Sequence, residues 1–205
     1  TKPEVHVTAD PALLLQPGTD GAVDSFLLSQ GLEPQGRYAL FVLRPWHGFA
    51  QKKQSLVDAA NTAYQTYGLT PVFFALEPGR DLGVTREVRA ALDCPSVLLT
   101  TPEDEKLIIG MMRRMALVVS MRLHTLIFAS SVGAPLVALS YDPKVTGFMR
   151  YIGQKHCVEF DTMTREALLA QIGEVLSEPE RYDVSHLRAL AEENEQIARK
   201  LLEEA

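Results

Sequence analysis

The sequence predicts the α/β class, a parallel sheet with helices on both faces, and three observations carry that expectation. Short apolar or β-branched runs alternate with stretches of helical periodicity, as strands joined by crossover helices do. The run Tyr38-Ala-Leu-Phe-Val-Leu43 is apolar throughout, which a strand becomes when both sheet faces are covered. The chain has 205 residues, 46% of them hydrophobic and 22% charged, enough for one large domain with a real core.

Each element follows from local signals. Val5-His-Val-Thr8 reads as a first strand, and Asp10-Pro-Ala12 as a cap and first turn of a short helix through Leu15. A helix over Asp20–Leu32 ends near Gly31, and strand Tyr38–Leu43 ends at Arg44-Pro45-Trp46, because Pro45 cannot continue a central ladder. Leu56, Ala59, Ala60, Ala63 and Tyr67 form the apolar stripe of a helix over Lys52–Tyr67 that Gly68 closes. Strand Pro71–Leu76 leads through a loop, Glu77–Asp81, into a helix over Val84–Leu92. Strand Val97–Thr100 precedes a helix opened by Thr101-Pro-Glu-Asp-Glu105, with acids in its first turn to complement the dipole. Strand Ala116–Ser120, a buried helix Thr125–Val132 and strand Leu136–Leu139 follow, the last two joined by Gly133-Ala-Pro135. Tyr141-Asp-Pro-Lys144 opens a helix to Ile152, Cys157-Val158 forms a short strand, and helices over Thr164–Leu176 and Ser185–Glu204 close the chain. There is no internal repeat or long linker, so residues 1–205 read as one domain.

Composition excludes several functions. A net charge of -6 argues against a general nucleic-acid binder, which needs a basic face. Cys94 and Cys157 have no zinc-site spacing and read as reduced, packed thiols, so no metal is expected. No apolar run reaches the ~20 residues that span a bilayer. No Walker A loop, GxGxxG or nucleophile elbow is present, and no cofactor is implied. The chain begins at Thr1 and enters quickly on an extended segment, which reads as a piece of a longer protein.

In open α/β sheets, ligands bind beyond the carboxyl ends of the strands, near helix N-termini. Four such ends stand out: Arg44-Pro-Trp-His47, Glu77–Asp81, Arg122-Leu-His124 and Tyr141–Lys144. Arg122 and His124 flank Leu123 where a helix begins, so a guanidinium, an imidazole and free backbone N–H groups converge on one spot, a suitable anion receptor. The bland alternatives are a carboxylate partner for Arg122 and a packed or capping role for His124. Arg44, held extended before Pro45, offers a second clamp; its alternative is an ion pair with Glu77 or Asp81. Lys144 stands in a first turn where the dipole disfavours a cation, which points either to function or to a paired acid such as Asp142. Thr125, Ser130 and Ser131 fit packing better than ligand contact. His47 is a secondary candidate, and His6, His156 and His186 read as structural or surface groups.

Ser120-Met-Arg-Leu-His-Thr-Leu-Ile-Phe-Ala-Ser-Ser-Val-Gly-Ala-Pro-Leu136, followed by Tyr141-Asp-Pro-Lys144 and Phe148-Met149, resembles the polysaccharide pyruvyl transferases. Ala9-Asp-Pro-Ala12 and Arg44-Pro45 are similar to the CsaB-type subgroup, which acts on secondary cell-wall polysaccharide of S-layer-bearing bacteria. The resemblance implies a GT-B-like architecture of two Rossmann-like domains, this chain being the C-terminal half that binds the donor, phosphoenolpyruvate. It implies Arg44, Arg122, Leu123, His124 and Lys144 as substrate-binding residues, with His124 and Arg122 in the catalytic role, and leaves the role of Asp81 open. It further implies a polysaccharide or lipid-linked sugar acceptor, an absent N-terminal domain, and a cytoplasmic location that extends to the inner face of the membrane. The final helix, with Leu187, Leu190, Ala191, Asn194, Ile197, Ala198 and Leu201 at helical spacing, packs on its own domain or on that absent one. The rival readings are the donor domain of a nucleotide-sugar glycosyltransferase and a non-catalytic binding domain. Against the first, no acid occurs between Met121 and Ser140 to hold ribose hydroxyls.

Overall fold

The computed structural model describes residues 5–178 and 183–203. Six parallel strands, β1 (Tyr38–Val42), β2 (Thr70–Phe73), β3 (Val97–Leu98), β4 (Leu117–Ser120), β5 (Leu136–Ser140) and β6 (Cys157–Glu159), lie in the order β3-β2-β1-β4-β5-β6. This is the strand order of the Rossmann-like doubly wound fold. The helices are α1 (Asp20–Ser29), α2 (Phe49–Tyr67), α3 (Pro78–Arg89), α4 (Glu105–Met112), α5 (Leu123–Ser131), α6 (Pro143–Tyr151), α7 (Arg165–Ser177) and α8 (Ser185–Glu203).

Strand alternation divides one sheet between two cores. Leu40, Val42, Val118, Leu136 and Ala138 face a cluster built with α1, α4, α5 and α6. Ala39, Phe41, Leu117, Val119, Val137 and Leu139 face a second cluster built with α2 and α7. Both faces are covered, which is why β1, β4 and β5 are buried at every position. Gly110 of α4 packs tightly on α1: a Cβ there would stand 2.5 Å from Val23 Cγ2. Gly68 ends α2 with φ of 65°, a left-handed conformation that glycine adopts without a steric cost.

Several sequence expectations are corrected. Residues 5–8 form no strand; Val5 and Val7 are 81% and 72% exposed, so the β-branched pattern there meets no sheet neighbour. The short helix after Asp10 is a 3-10 turn, Pro11–Leu14, capped by the Asp10 carboxylate. The loop expected over Glu77–Asp81 is instead the start of α3, with Pro78 in its first turn and the Asp81 carboxylate accepting the Glu77 N–H at 3.1 Å. The helix expected to open at Thr101-Pro102 begins at Glu105, because the Asp104 side chain caps it by accepting the Lys106 N–H.

The N-terminal half of α8 packs on this domain: Leu187 and Ala191 are buried, Leu190 joins the first core cluster, and Arg188 donates to the Ser131 carbonyl at 2.7 Å. Farther along, Leu201 and Leu202 are 63% and 80% exposed. Glu204, the last residue of the expected helix, lies outside the described residues. Cys94 and Cys157 are free thiols, and burial, with Glu159 nearby, pushes Cys157 up to about 11. Among the described residues no helix is long and apolar enough to cross a membrane.

Candidate active site

The sheet order reverses between β1 and β4. β1 leads away through α2 to β2, while β4 is reached from β3 by α4 on the other face, so a crevice opens beyond their carboxyl ends. The register pairs Val42 with Ser120, which places Arg44 and Arg122 each two residues past a paired position. A cleft of about 350 Å³ lies there, lined by Arg44, Leu76, Glu77, Arg80, Arg122, Leu123, His124, Tyr141 and Lys144. The structure thus brings Arg44, Arg122, Leu123, His124 and Lys144 to one wall. His47 is exposed and does not line it. Two wider hollows, of 680 Å³ around Arg86 and Cys94 and 510 Å³ around His156 and Glu174, share no lining residue with this cleft.

Arg122 precedes α5 and is buried. Its Nε donates to Asp81 Oδ2 at 3.1 Å, one terminal nitrogen to Asp81 Oδ1, and the other to Glu77 Oε1 at 2.7 Å. Ser120 Oγ accepts the Arg122 backbone N–H at 2.9 Å, fixing the turn between strand and helix. Burial works against the Arg122 charge, but the Asp81 and then the Glu77 carboxylates outweigh it and hold the guanidinium above its ordinary range. The same contact, with help from Arg80, holds the Glu77 carboxyl below its usual value of 4.5 against the opposing pull of burial. Of the five guanidinium N–H groups, three are engaged, and one on each terminal nitrogen has no hydrogen-bond partner among the described residues.

Arg44 is handled differently. Its alternative partners Glu77 and Asp81 belong to Arg122 instead, and among the described residues no carboxylate lies within ion-pair distance of Arg44. One terminal nitrogen donates to Tyr141 Oη at 2.5 Å, and the guanidinium carbon lies 4.5 Å from the Tyr141 ring centre and 5.4 Å from that of Trp46. Lys144, exposed in the first turn of α6, lies 5.9 Å from the Tyr141 ring. Asp142, its proposed acid partner, instead caps the helix by accepting the Lys144 backbone N–H at 2.9 Å, so the ammonium has no ion-pair partner among the described residues.

His124 opens α5 with its side chain 57% exposed, Nε2 standing 3.8 Å from Asp10 Oδ2. Ser130 and Ser131 donate back to carbonyls of α5, the packing role expected for them, while Thr125 Oγ1 is buried without a partner. His156 is buried, with Nδ1 3.0 Å from Gln171 Oε1.

The family model for polysaccharide pyruvyl transferase matches residues 1–143, more than half of the sequence. The chain belongs to that family. No curated protein sequence matches significantly. Among solved structures the chain is similar to UDP-GlcNAc 2-epimerase from Methanocaldococcus jannaschii in complex with UDP-GlcNAc and UDP (TM-score 0.62, 12% identity, 96% of this chain and 54% of that one). It is also similar to a family 9 glycosyl transferase from Veillonella parvula (TM-score 0.55, 14% identity, 84% of this chain and 54% of that one). A third similarity is to the C-terminal domain of a group 1 glycosyl transferase from Francisella tularensis (TM-score 0.52, 17% identity, 88% and 91%). The chain spans about half the length of the first two, and at these identities the likeness shows the fold alone.

The sequence places Trp46, Arg80 and Tyr141 at ligand-edge strand ends without giving them a role, offers Glu77 and Asp81 only as partners of Arg44, and gives no sign of Leu76. All but Trp46 and Asp81 line the cleft directly. A usable signal was present: an aromatic at each of two strand exits that also carry a cation, Arg44-Pro-Trp46 and Tyr141–Lys144.

Proposed function

We propose that this chain is the donor-binding half of an enzyme that transfers a pyruvyl group from phosphoenolpyruvate to hydroxyls of a cell-wall polysaccharide sugar, forming a pyruvate ketal. The observation that carries the reading is the pair Arg44 and Lys144: two cations on one cleft, neither neutralised by a carboxylate of the described residues, in a family that transfers pyruvyl groups. Phosphoenolpyruvate presents a carboxylate and a phosphate, so it needs cationic contacts in more than one place. Arg44 and Lys144 supply net charge, Arg122 offers its two remaining N–H groups, and the first amides of α5 beside Leu123 add a dipole favourable to an anion.

The reaction protonates the methylene carbon of the donor to a methyl group. The adjacent carbon forms bonds to two sugar oxygens and loses its bond to the phosphate oxygen. One hydroxyl proton replaces the proton delivered to carbon, and the other leaves with phosphate. In this reading His124, which lines the cleft with its side chain more than half exposed, passes a proton to the donor or to the departing phosphate. The acceptor, a polysaccharide or lipid-linked sugar, approaches from a neighbouring N-terminal domain of a GT-B-like pair, for which the exposed Leu201 and Leu202 offer apolar surface. Such a reaction belongs in the cytoplasm, at the inner face of the membrane when the acceptor is lipid-linked.

A second reading, a nucleotide-sugar donor domain, is favoured by the similarity to an epimerase that holds UDP-GlcNAc and UDP. Against it, residues 122–139 carry no acid for a ribose, and the carboxylates of Glu77, in the cleft, and of Asp81, buried behind it, are occupied by Arg122. Isothermal titration of the chain with phosphoenolpyruvate, UDP and UDP-GlcNAc decides between them. Binding of phosphoenolpyruvate alone is the expected result, and preference for UDP-GlcNAc would sink the pyruvyl-transfer reading.

A further inference from the structure

Arg44 poses a problem of placement. Position before a proline restricts its backbone to extended conformations, which brings the residue to the cleft but leaves a long side chain free to turn toward Glu77 or Asp81. It turns instead into an aromatic corner. The Trp46 and Tyr141 ring centres are 4.6 Å apart and tilted by 54°, and the guanidinium lies against both. Tyr141 is itself fixed from behind, packing against both hydrophobic cores at the end of β5, and Trp46 packs against one. The Arg44 Nε is buried and has no hydrogen-bond partner among the described residues, while one terminal nitrogen donates to the Tyr141 hydroxyl. A guanidinium held on π faces keeps its charge uncompensated and its outward N–H groups unengaged, whereas a carboxylate partner offsets the charge and occupies some of those groups. Lys144 stands against the same Tyr141 ring, so one side chain touches both unneutralised cations of the cleft.

We propose that Trp46 and Tyr141 are positioning residues: they hold Arg44 uncompensated for an anionic donor, and Tyr141 sets the spacing between Arg44 and Lys144 that suits a ligand with two anionic groups. The proposal rests on the reading of this cleft as an anion site and adds the residues that determine its geometry. Because the rings act through the arginine, their loss lowers affinity for the donor, and with it the preference for a two-anion ligand over inorganic phosphate.

Trp46 is the only tryptophan in the sequence, so its emission reports on this corner without ambiguity. The test titrates the full chain with phosphoenolpyruvate, inorganic phosphate and UDP, reading Trp46 fluorescence and calorimetric affinity, with melting temperature as a check on folding. Phosphoenolpyruvate is expected to change the Trp46 emission. Tyr141→Phe, which keeps the ring and loses the hydroxyl contact to a charged group, is expected to weaken phosphoenolpyruvate about tenfold. Tyr141→Leu loses the ring as well and is expected to weaken it about a hundredfold, with the preference over phosphate largely gone. Tyr141→Leu with wild-type affinity and only a lowered melting temperature would show a packing role and overturn the proposal; so would unchanged Trp46 emission at saturating ligand. If the wild type takes UDP and not phosphoenolpyruvate, the donor assignment fails while the same order of variants measured with UDP still supports the aromatic corner. A wild type that binds none of the three anions overturns both.

Discussion

Arg44 and Arg122 leave adjacent strands at matched register, yet the fold treats them in opposite ways. Arg122 is buried between two carboxylates and ties the start of α3 to the start of α5, so its charge is spent on holding the cleft together. Arg44 rests on two aromatic rings and a phenol oxygen, with no carboxylate partner among the described residues. The difference teaches that a cation at a ligand edge is read by what faces it. Partnered, it positions backbone; set on π faces, it remains available to an anion.

The comparison breaks most visibly through Asp81. Its carboxylate is fully buried, and Asp81→Ala leaves a buried guanidinium with one partner lost, a change expected to cost about 3–5 kcal/mol in urea unfolding. Arg44→Ala, by contrast, is expected to cost under about 1 kcal/mol of stability while weakening phosphoenolpyruvate about a hundredfold by calorimetry, since it removes charge-assisted hydrogen bonds to the ligand. Equal losses of stability in the two variants would erase the distinction. Lys144→Ala, at an exposed position, should weaken the same ligand by about three- to tenfold, with the deficit shrinking as salt is raised, because a point charge at the rim is screened.

The smallest effect is expected at Glu77. Its folded carboxyl is held below 4.5 by Arg122, so its contribution is present above that value and is lost as pH falls through the depressed folded value. Wild type and Glu77→Gln should therefore differ most at neutral pH and converge in acid. The half-exposed side chain keeps the difference modest, and urea unfolding across pH 7 to 3 measures it. A gap that widened on acidification would contradict the assigned pairing.

Much of the fold was legible because it depends on short-range signals. The alternation of apolar runs with helical periods, the cap at Asp10 and the glycine after α2 each act within a few residues. Val5–Thr8 misled because β-propensity reports fitness for a sheet, and a strand needs a neighbour that this segment lacks. The start of α3 misled because Pro78 and Gly79 carry turn signals, and what makes them helical is Asp81 folding back on the Glu77 amide while held by Arg122, 41 positions away.

Local patterns along the chain were enough for the class of fold, the strand ends at which cations gather, and the family to which those residues belong. Which cation is left uncompensated was settled by tertiary packing. Carboxylates and arginines were all present at the strand exits, and pairing between them is a competition in space: Asp81 and Glu77 reach Arg122 across the switch point, and Tyr141, 97 positions from Arg44, takes the place that an acid would have filled. One-dimensional spacing carries no information about that choice, because it is made by the packing of β1, β4 and β5 side by side and by the helices that follow them.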